Sequence, residues 1–326
     1  MKVLFFGLDY HTYTRDIIAE MKALGATVNY IDIQPRTFLF KVLRTIGRSL
    51  YDRYLAAHHT TAIRASESTV YDKVVFLQAH QMSLASLARL RQVQPTAEFT
   101  LYNWDALSNH DYRPQATSFH RVLTFDRRDA SEHGYGYLPL FCQRSMQGLR
   151  RDRTEPGSLF MVGNIVKSAR YAAIESFRTY CVAHGLLFRQ HLKISPVVWS
   201  QLIRSGVRPK GVSLRSIDQA AFRNMIETTG GVFDFANHTQ SGQTMRMMEN
   251  LCTGKKIVTN NVWVKKEPFY SPDRIHVFEG VDFSGVTEFL KWPLAEPDAE
   301  FAKYHIQSFV SQLLGLDPLL SEECAG

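Results

Sequence analysis

Residues 230–260, GGVFDFANHTQSGQTMRMMENLCTGKKIVTN, decide how the chain folds. GGVFDFA (230–236) is a continuous apolar run opened by glycines, and KKIVTN (255–260) is a second β-rich run. Between them, a polar loop leads into a helix over Gly242 to Thr253, with Met245 and Met248 on one face. Strands that are apolar on both faces belong in a parallel sheet covered by helices on either side, and strand–helix–strand is the unit that builds one.

The same alternation runs outward in both directions. Upstream lie SLFMVG (158–163), a helix over Arg170 to His184, LLFRQHL (186–192), a helix over Val197 to Ile203, KGVSL (210–214) and a helix over Ser216 to Glu227. Downstream, RIHVF (274–278) reads as the last strand. A separate series fills the first half: KVLFFG (2–7), a helix over Thr14 to Leu24, ATVNYIDI (26–33), DKVVFLQ (72–78), a helix over Leu84 to Val93, EFTLYNW (98–104), RVLTF (121–125) and a short helix over Asp126 to His133. CQRSMQGLRRDRTEPGS (142–158) is polar, basic and ended by Pro156-Gly157, the signature of a linker. The expected architecture is α/β: two Rossmann-like doubly wound domains facing a cleft, over 1–145 and 157–296. A terminal amphipathic helix follows over 297–315, with a tail from Asp317.

At 326 residues the chain has room for about two domains, and 45% hydrophobic, 12% aromatic and 21% charged residues exclude disorder, collagen-like repeats and a coiled coil. No run reaches the 18 apolar residues of a spanning helix, and Met1 leads into KVLFFG without the basic flank and cleavage site of an export signal. A cytoplasmic protein is expected. Cys142, Cys181, Cys252 and Cys324 are far apart with no C-x-x-C pair, which points to reduced thiols. The net charge of +7 is uneven: Arg36, Lys41, Arg44, Arg48, Arg53 and Arg64 face Asp52 alone. Within that segment, 37–51 reads as one cationic amphipathic helix with three open roles. It lies on anionic lipid at the inner face of the membrane, grips nucleic-acid phosphate, or packs on the sheet.

Ligands of doubly wound sheets sit beyond the carboxyl ends of the strands, so the strand-to-helix loops are where chemistry is expected. The first, GLDYHTYT (7–14), lacks G-x-G-x-x-G, which disfavours a nicotinamide or flavin cofactor. Asp9 and His11 there, and Asp105 after the fourth strand, are candidate general bases for an acceptor hydroxyl. Gln78, His80, Asn103, Trp104 and His110 share those strand ends. His80, Trp104 and His110 are candidate acceptor contacts, with the Trp104 indole offering a sugar ring an apolar face beside Asp105.

In the second half, a helix opening at Ser241, Gly242, Gln243 and Thr244 presents free amides, and Arg246 adds a cation one turn in. That combination suits a diphosphate. Glu249 is placed to take a ribose diol on the same face. A weaker anion site reads from Gly163 and Asn164 into the basic helix opening at Lys167 and Arg170. No Asp-x-Asp occurs, so no metal bridging is expected, and amides and arginines must neutralise the leaving group. The absence of G-x-S-x-G, G-x-x-x-x-G-K-[ST] and H-E-x-x-H removes serine-hydrolase, P-loop and zincin readings.

LYNWDALSN (101–109), RVLTFDRRDA (121–130), GYLPLF (136–141), FMVGN (160–164) and SGQTMRMMENLCTGKKIVTNN (241–261) resemble bacterial glycosyltransferases of the GT-B fold, in the CgeB-like and lipopolysaccharide or capsule biosynthesis group. The resemblance spans both expected domains and is most specific in the last stretch. It implies that Gly242, Gln243, Thr244 and Arg246 flank the donor phosphates and that Glu249 holds the ribose. It further implies that Gly163 and Asn164 form the loop opening the donor domain, and that helix 297–315 crosses back to the first domain. GLDYHTYTRD departs from the pattern in lacking paired glycines. The expected activity is cofactor-free, metal-independent transfer of a sugar from a nucleotide-sugar to a saccharide or lipid-linked cell-surface acceptor. Two rivals share the fold. One is a phage-type glycosyltransferase of modified DNA, with Arg36 to Arg64 and Arg144 to Arg153 along the backbone; the other is a non-catalytic nucleotide-sugar or saccharide binding module.

Overall fold

The computed structural model describes residues 1–8, 12–149, 151–236, 240–293 and 299–319, with the side chains of 41 and 44–46 left aside. The chain divides into two compact units. Unit 1 is Met1–Gln143 together with the chain from Lys303 on, and unit 2 is Arg144–Ala302.

Unit 1 holds six strands: β1 (Lys2–Gly7), β2 (Thr27–Asp32), β3 (Lys73–Leu77), β4 (Glu98–Asn103), β5 (Arg121–Thr124) and β6 (Gly136–Tyr137). All are parallel, in the order β2-β1-β3-β4-β5-β6. Its first helices are α1 (Tyr13–Ala23), α2 (Phe38–Ile46), α3 (Arg48–Ser66), α4 (Leu84–Val93), α5 (Arg113–Ala116) and α6 (Arg127–His133). Val3 to Phe6 and Val74 to Leu77 are buried on both sheet faces, the pattern that forces a parallel sheet with two helical covers. The chain steps from β1 outward to β2, then returns to place β3 on the other side of β1, so the strand order reverses between β1 and β3.

Unit 2 is a second six-stranded sheet, of β7 (Glu155–Ile165), β8 (Leu187–Ile194), β9 (Val212–Ser213), β10 (Thr229–Asp234), β11 (Lys256–Thr259) and β12 (Ile275–Val277), parallel in the different order β12-β11-β10-β7-β8-β9. Its helices are α7 (Ser168–Ala183), α8 (Pro196–Arg204), α9 (Gln219–Thr228), α10 (Met245–Cys252) and α11 (Val286–Lys291). Here the reversal lies between β7 and β10. Phe177 and Phe233, stacked at 3.9 Å, centre the core between α7 and β10.

A last helix, α12 (Ile306–Leu313), packs in unit 1. Phe309 meets Tyr102 and Phe141 at 5.0 and 4.5 Å, and Arg121 donates to the carbonyls of Gln312 and Leu313 at the helix end. Such a guanidinium satisfies the carbonyls an α-helix leaves open at its C-terminus. Unit 1 is therefore discontinuous in sequence. The helix expected over 297–315 is shorter, because a 3₁₀ turn occupies Ala299–Tyr304.

Two expectations are corrected. Pro156-Gly157 does not end a linker. It sits inside β7, where Gly157 takes φ 64° and the register against β10 shifts, so the pair forms an irregularity in a strand that has already begun at Glu155. Nor is 37–51 one cationic helix. Gly47, extended at φ −177°, separates α2 from α3, and Phe40 stacks on Tyr51 at 4.9 Å across the break. Glycine is a poor helix former, and the aromatic contact holds α3 against α2 instead of continuing it.

Candidate functional site

Each unit gathers polar groups at the carboxyl ends of the strands flanking its reversal point, where open α/β sheets leave a crevice. In unit 2 the last residue of β10, Asp234, is fully buried, and its carboxylate organises the loops around it. Arg246 Nη1 and Thr244 Oγ1 both donate to Asp234 Oδ1 at 2.7 Å, Thr259 Oγ1 reaches Oδ2 at 3.3 Å, and Arg246 Nε donates to the Val162 carbonyl at 2.8 Å. The other end of the Arg246 guanidinium then lies over Gly163. A Cβ there would meet Arg246 Nη2 at 2.9 Å and Arg170 Nη2 at 3.4 Å, so a side chain would push the Arg246 guanidinium aside.

Arg170 belongs to the first turn of α7, whose N-terminus carries no side-chain cap. Its Nε is buried without a hydrogen-bond partner, and no ion pair forms to it among the described residues. Burial first, and the neighbouring Arg246 charge second, pull its pKa down to about 10. Two guanidiniums therefore meet one carboxylate, beside a glycine and the open amides of a 16-residue helix. The one surplus positive charge, with the open helix amides, suits an oxyanion.

The structure thus brings Gly163, Arg170, Thr244 and Arg246 together at the ends of β7 and β10. The helix expected from Ser241 begins at Met245, with Thr244 as its cap, accepting from the Met247 amide at 3.1 Å. Ser241, Gly242 and Gln243 precede it as a tied loop. Asn261 Nδ2 donates to the carbonyls of Ser241 and Gly242 and to Gln243 Oε1, each at 3.2 Å, and the side chains of Ser241 and Gln243 are buried. These bonds fix the loop through its carbonyls and the Gln243 side chain. Glu249, expected at a ribose, is 2% exposed and engaged within the fold. Asn164 is exposed at the end of β7.

Unit 1 carries a cavity of about 1070 Å³ at the ends of β1 to β4, lined among others by Leu8, Asp32, Gln78, His80, Asp105 and His110. Gln78 adopts φ 79°, a left-handed backbone that a non-glycine residue holds only under constraint. That turn aims its amide at Asp105, with Nε2 to Oδ2 at 2.5 Å, while Gln81 Nε2 donates to Gln78 Oε1 at 3.2 Å. Behind Asp105, the Leu107 amide donates to Asp129 Oδ2 at 2.7 Å, anchoring the loop; burial raises the Asp129 pKa. His80 and His110 stack at 4.1 Å, nearly parallel, and His80 Nδ1 is buried without a partner. Burial, then the charge of His110, pulls the His80 pKa down to about 4, so the ring is neutral near pH 7. The cavity lining carries three carboxylates, three amides, two imidazoles and two guanidiniums, a donor and acceptor set suited to a polyhydroxylated ligand.

Asp105, His80 and His110 meet here, but Trp104 does not join them. Its half-buried indole packs on Tyr13, Phe141 and Tyr102 at 5.9, 5.7 and 6.2 Å and does not line this cavity. Asp9 and His11 lie outside the described residues. Sequence reading missed Asp234, Asn261 and Gln81. An acid closing the buried strand VFD was a legible signal, whereas the role of Asn261 depends on a loop 20 residues earlier in the chain.

No protein-family model and no curated protein matches the chain. Solved structures do. AviGT4, a glycosyltransferase involved in avilamycin A biosynthesis, aligns at a TM-score of 0.62 and 12% identity over 97% of this chain and 96% of its own. The lipopolysaccharide outer core galactosyltransferase WaaB, in apo form, aligns at 0.55 and 11% over 96% and 99%. A UDP-GlcNAc 2-epimerase from Neisseria meningitidis bound to UDP-GlcNAc aligns at 0.56 and 9% over 97% and 100%. The fold, a pair of Rossmann-like units of the GT-B type, is shared with them.

Proposed function

We propose that the protein is a glycosyltransferase in which unit 2 holds a nucleotide-sugar and unit 1 holds the acceptor. The observation that carries this reading is the Arg170–Arg246 pair over Gly163, a site with more positive charge than the protein itself neutralises, at the reversal point of the unit 2 sheet. A diphosphate supplies the missing charge. When the bond between the anomeric carbon and the phosphate oxygen breaks, negative charge grows on that oxygen, and guanidiniums fixed in place stabilise it without reorganising. In this reading they do what a divalent cation does elsewhere, and transfer proceeds without metal.

The unit 1 cavity supports a saccharide acceptor. Asp105 takes the proton of the attacking hydroxyl, held in orientation by Gln78, while the neutral His80 ring and the His110 ring stacked on it bond further hydroxyls. Phe38 and Leu39 are exposed at the start of α2, near Phe40 on the cavity wall, and suit the tail of a lipid-linked acceptor. We place the reaction in the cytoplasm, at the membrane, in assembly of a cell-surface polysaccharide or lipopolysaccharide. A panel of nucleoside diphosphates and nucleotide-sugars, read by melting temperature and then by nucleotide release with EDTA present, tests it. One nucleotide class should raise the midpoint and its sugar form should turn over; a midpoint indifferent to every nucleotide removes the reading. Tight donor binding with no turnover on any acceptor would leave a binding module.

A further inference from the structure

Between Glu175 and Asp218 the chain carries seven basic residues, Arg178, Arg189, Lys193, Arg204, Arg208, Lys210 and Arg215, and no acidic one. The first two are occupied: Arg178 pairs with Glu175 and Arg189 with Glu155. Lys193 donates to Ser216. Arg204, Arg208, Lys210 and Arg215 form no ion pair among the described residues. They surround α8, whose inner face is settled by Leu202, buried in the unit 2 core, and Val198 packed against it. Its other apolar side chains have no such place. Val197, Trp199 and Ile203 are 65, 41 and 50% exposed, and Val207 follows, exposed, in the next turn.

Edge protection accounts for some of this charge, since β9 is the two-residue edge strand and Lys210 and Arg215 flank it. It does not account for the apolar side chains. A solvated surface gains nothing from an outward tryptophan, valine and isoleucine within seven residues, and nucleic-acid phosphate does not call for them either. Cationic heads around aliphatic and indole side chains match one partner chemistry: the headgroup region of an anionic bilayer, where basic residues meet lipid phosphates and Trp sits at the boundary between polar and hydrocarbon layers. We infer that α8 and the segment to Arg215 form a surface by which unit 2 docks on an anionic lipid membrane. The surface is separate from the Arg170–Arg246 site, and its test stands whether or not the protein transfers sugar.

The full chain is sedimented with vesicles of phosphatidylglycerol and phosphatidylcholine, and with pure phosphatidylcholine vesicles. Binding to the first, weakened by salt and absent from the second, is expected. Replacing Arg204, Arg208 and Lys210 by Ser should lower the partition coefficient roughly fivefold per residue, and Trp199→Ser with Ile203→Ser should lower it at least tenfold. All five side chains are exposed, so melting temperature should not move. Trp199 emission should shift to the blue on anionic vesicles and be quenched by lipids brominated near the top of the acyl chain, a change lost in Trp199→Phe. Phe38→Ser should leave that quenching intact. No vesicle binding, binding unaffected by the α8 substitutions, or a preference for duplex DNA over vesicles would each overturn the inference.

Discussion

Both units are six-stranded parallel sheets, but the order reverses between the first and third strands of unit 1 and between the first and fourth strands of unit 2, and the two reversal points differ in what the strand ends carry. In unit 2 the residues are short of negative charge: two guanidiniums share Asp234, and a missing Cβ at Gly163 makes room above them. In unit 1 the carboxylate Asp105 is held by an amide, and the imidazole beside it is kept neutral, in a cavity of about 1070 Å³. In the proposed reading, one point receives charge and the other receives hydroxyl groups and removes a proton. The contrast rests on a few side chains at strand ends and not on the sheet class the two units share.

If that contrast is right, the largest effect on turnover belongs to unit 1 and leaves nucleotide binding alone. Asp105→Asn keeps an oxygen for Gln78 Nε2 to donate to and removes only the basic group. Loss of a general base costs about 10² to 10⁴-fold in rate, so kcat should fall by that factor while the nucleoside diphosphate dissociation constant, by calorimetry, stays put. Full activity would reduce Asp105 to a structural residue and erase the division of labour.

Within unit 2, the two arginines should separate. Arg246→Ala strands a fully buried carboxylate, and breaking a buried pair costs about 3 to 5 kcal/mol of stability. Arg170 has no carboxylate of its own and bears the repulsion of its neighbour. Arg170→Ala should therefore leave the unfolding midpoint unchanged or higher while weakening nucleoside diphosphate binding by about 1.5 to 3 kcal/mol, the range for hydrogen bonds to a charged group. Denaturant midpoints and calorimetry on both variants decide it. Equal destabilisation by the two would mean that Arg170 is bonded within the fold and does not await a ligand.

The sequence carries the architecture in its strands, because an apolar run buried on both faces leaves no other home: KVLFFG, EFTLYNW and SLFMVG appear within a few residues of β1, β4 and β7. It carries Arg170 and Arg246 through their place after strands. It does not carry the details fixed by partners distant in the chain. The start of α10 at Met245 and not Ser241 depends on Asn261, and the break at Gly47 depends on Phe40 stacking on Tyr51. The left-handed backbone of Gln78 belongs to a residue type that gives no hint of it. Trp104 and Asp105 look like a pair in sequence, yet adjacent residues leaving a strand face opposite ways, which sends one to the aromatic core and the other to the cavity.

The smallest effect tests whether the unit 1 cavity holds His80 uncharged. His80 has a folded pKa of about 4 against an ordinary 6.5, from burial and then from His110. Between those values the unfolded chain binds the proton and the folded chain does not, so stability is complete above pH 6.5 and falls as pH drops toward 4. The ring is partly open to solvent, which reduces the full linkage to about 1 to 2 kcal/mol. His80→Gln should flatten the corresponding part of the stability profile, measured by denaturant midpoints between pH 4 and 7. The His80 ring protons, followed by NMR, should titrate near pH 4 in the parent and higher in His110→Ala, where the facing charge is gone. Titration at an ordinary imidazole value in both proteins would show that the cavity admits charge as readily as water does, and the contrast with unit 2 would rest on Asp105 alone.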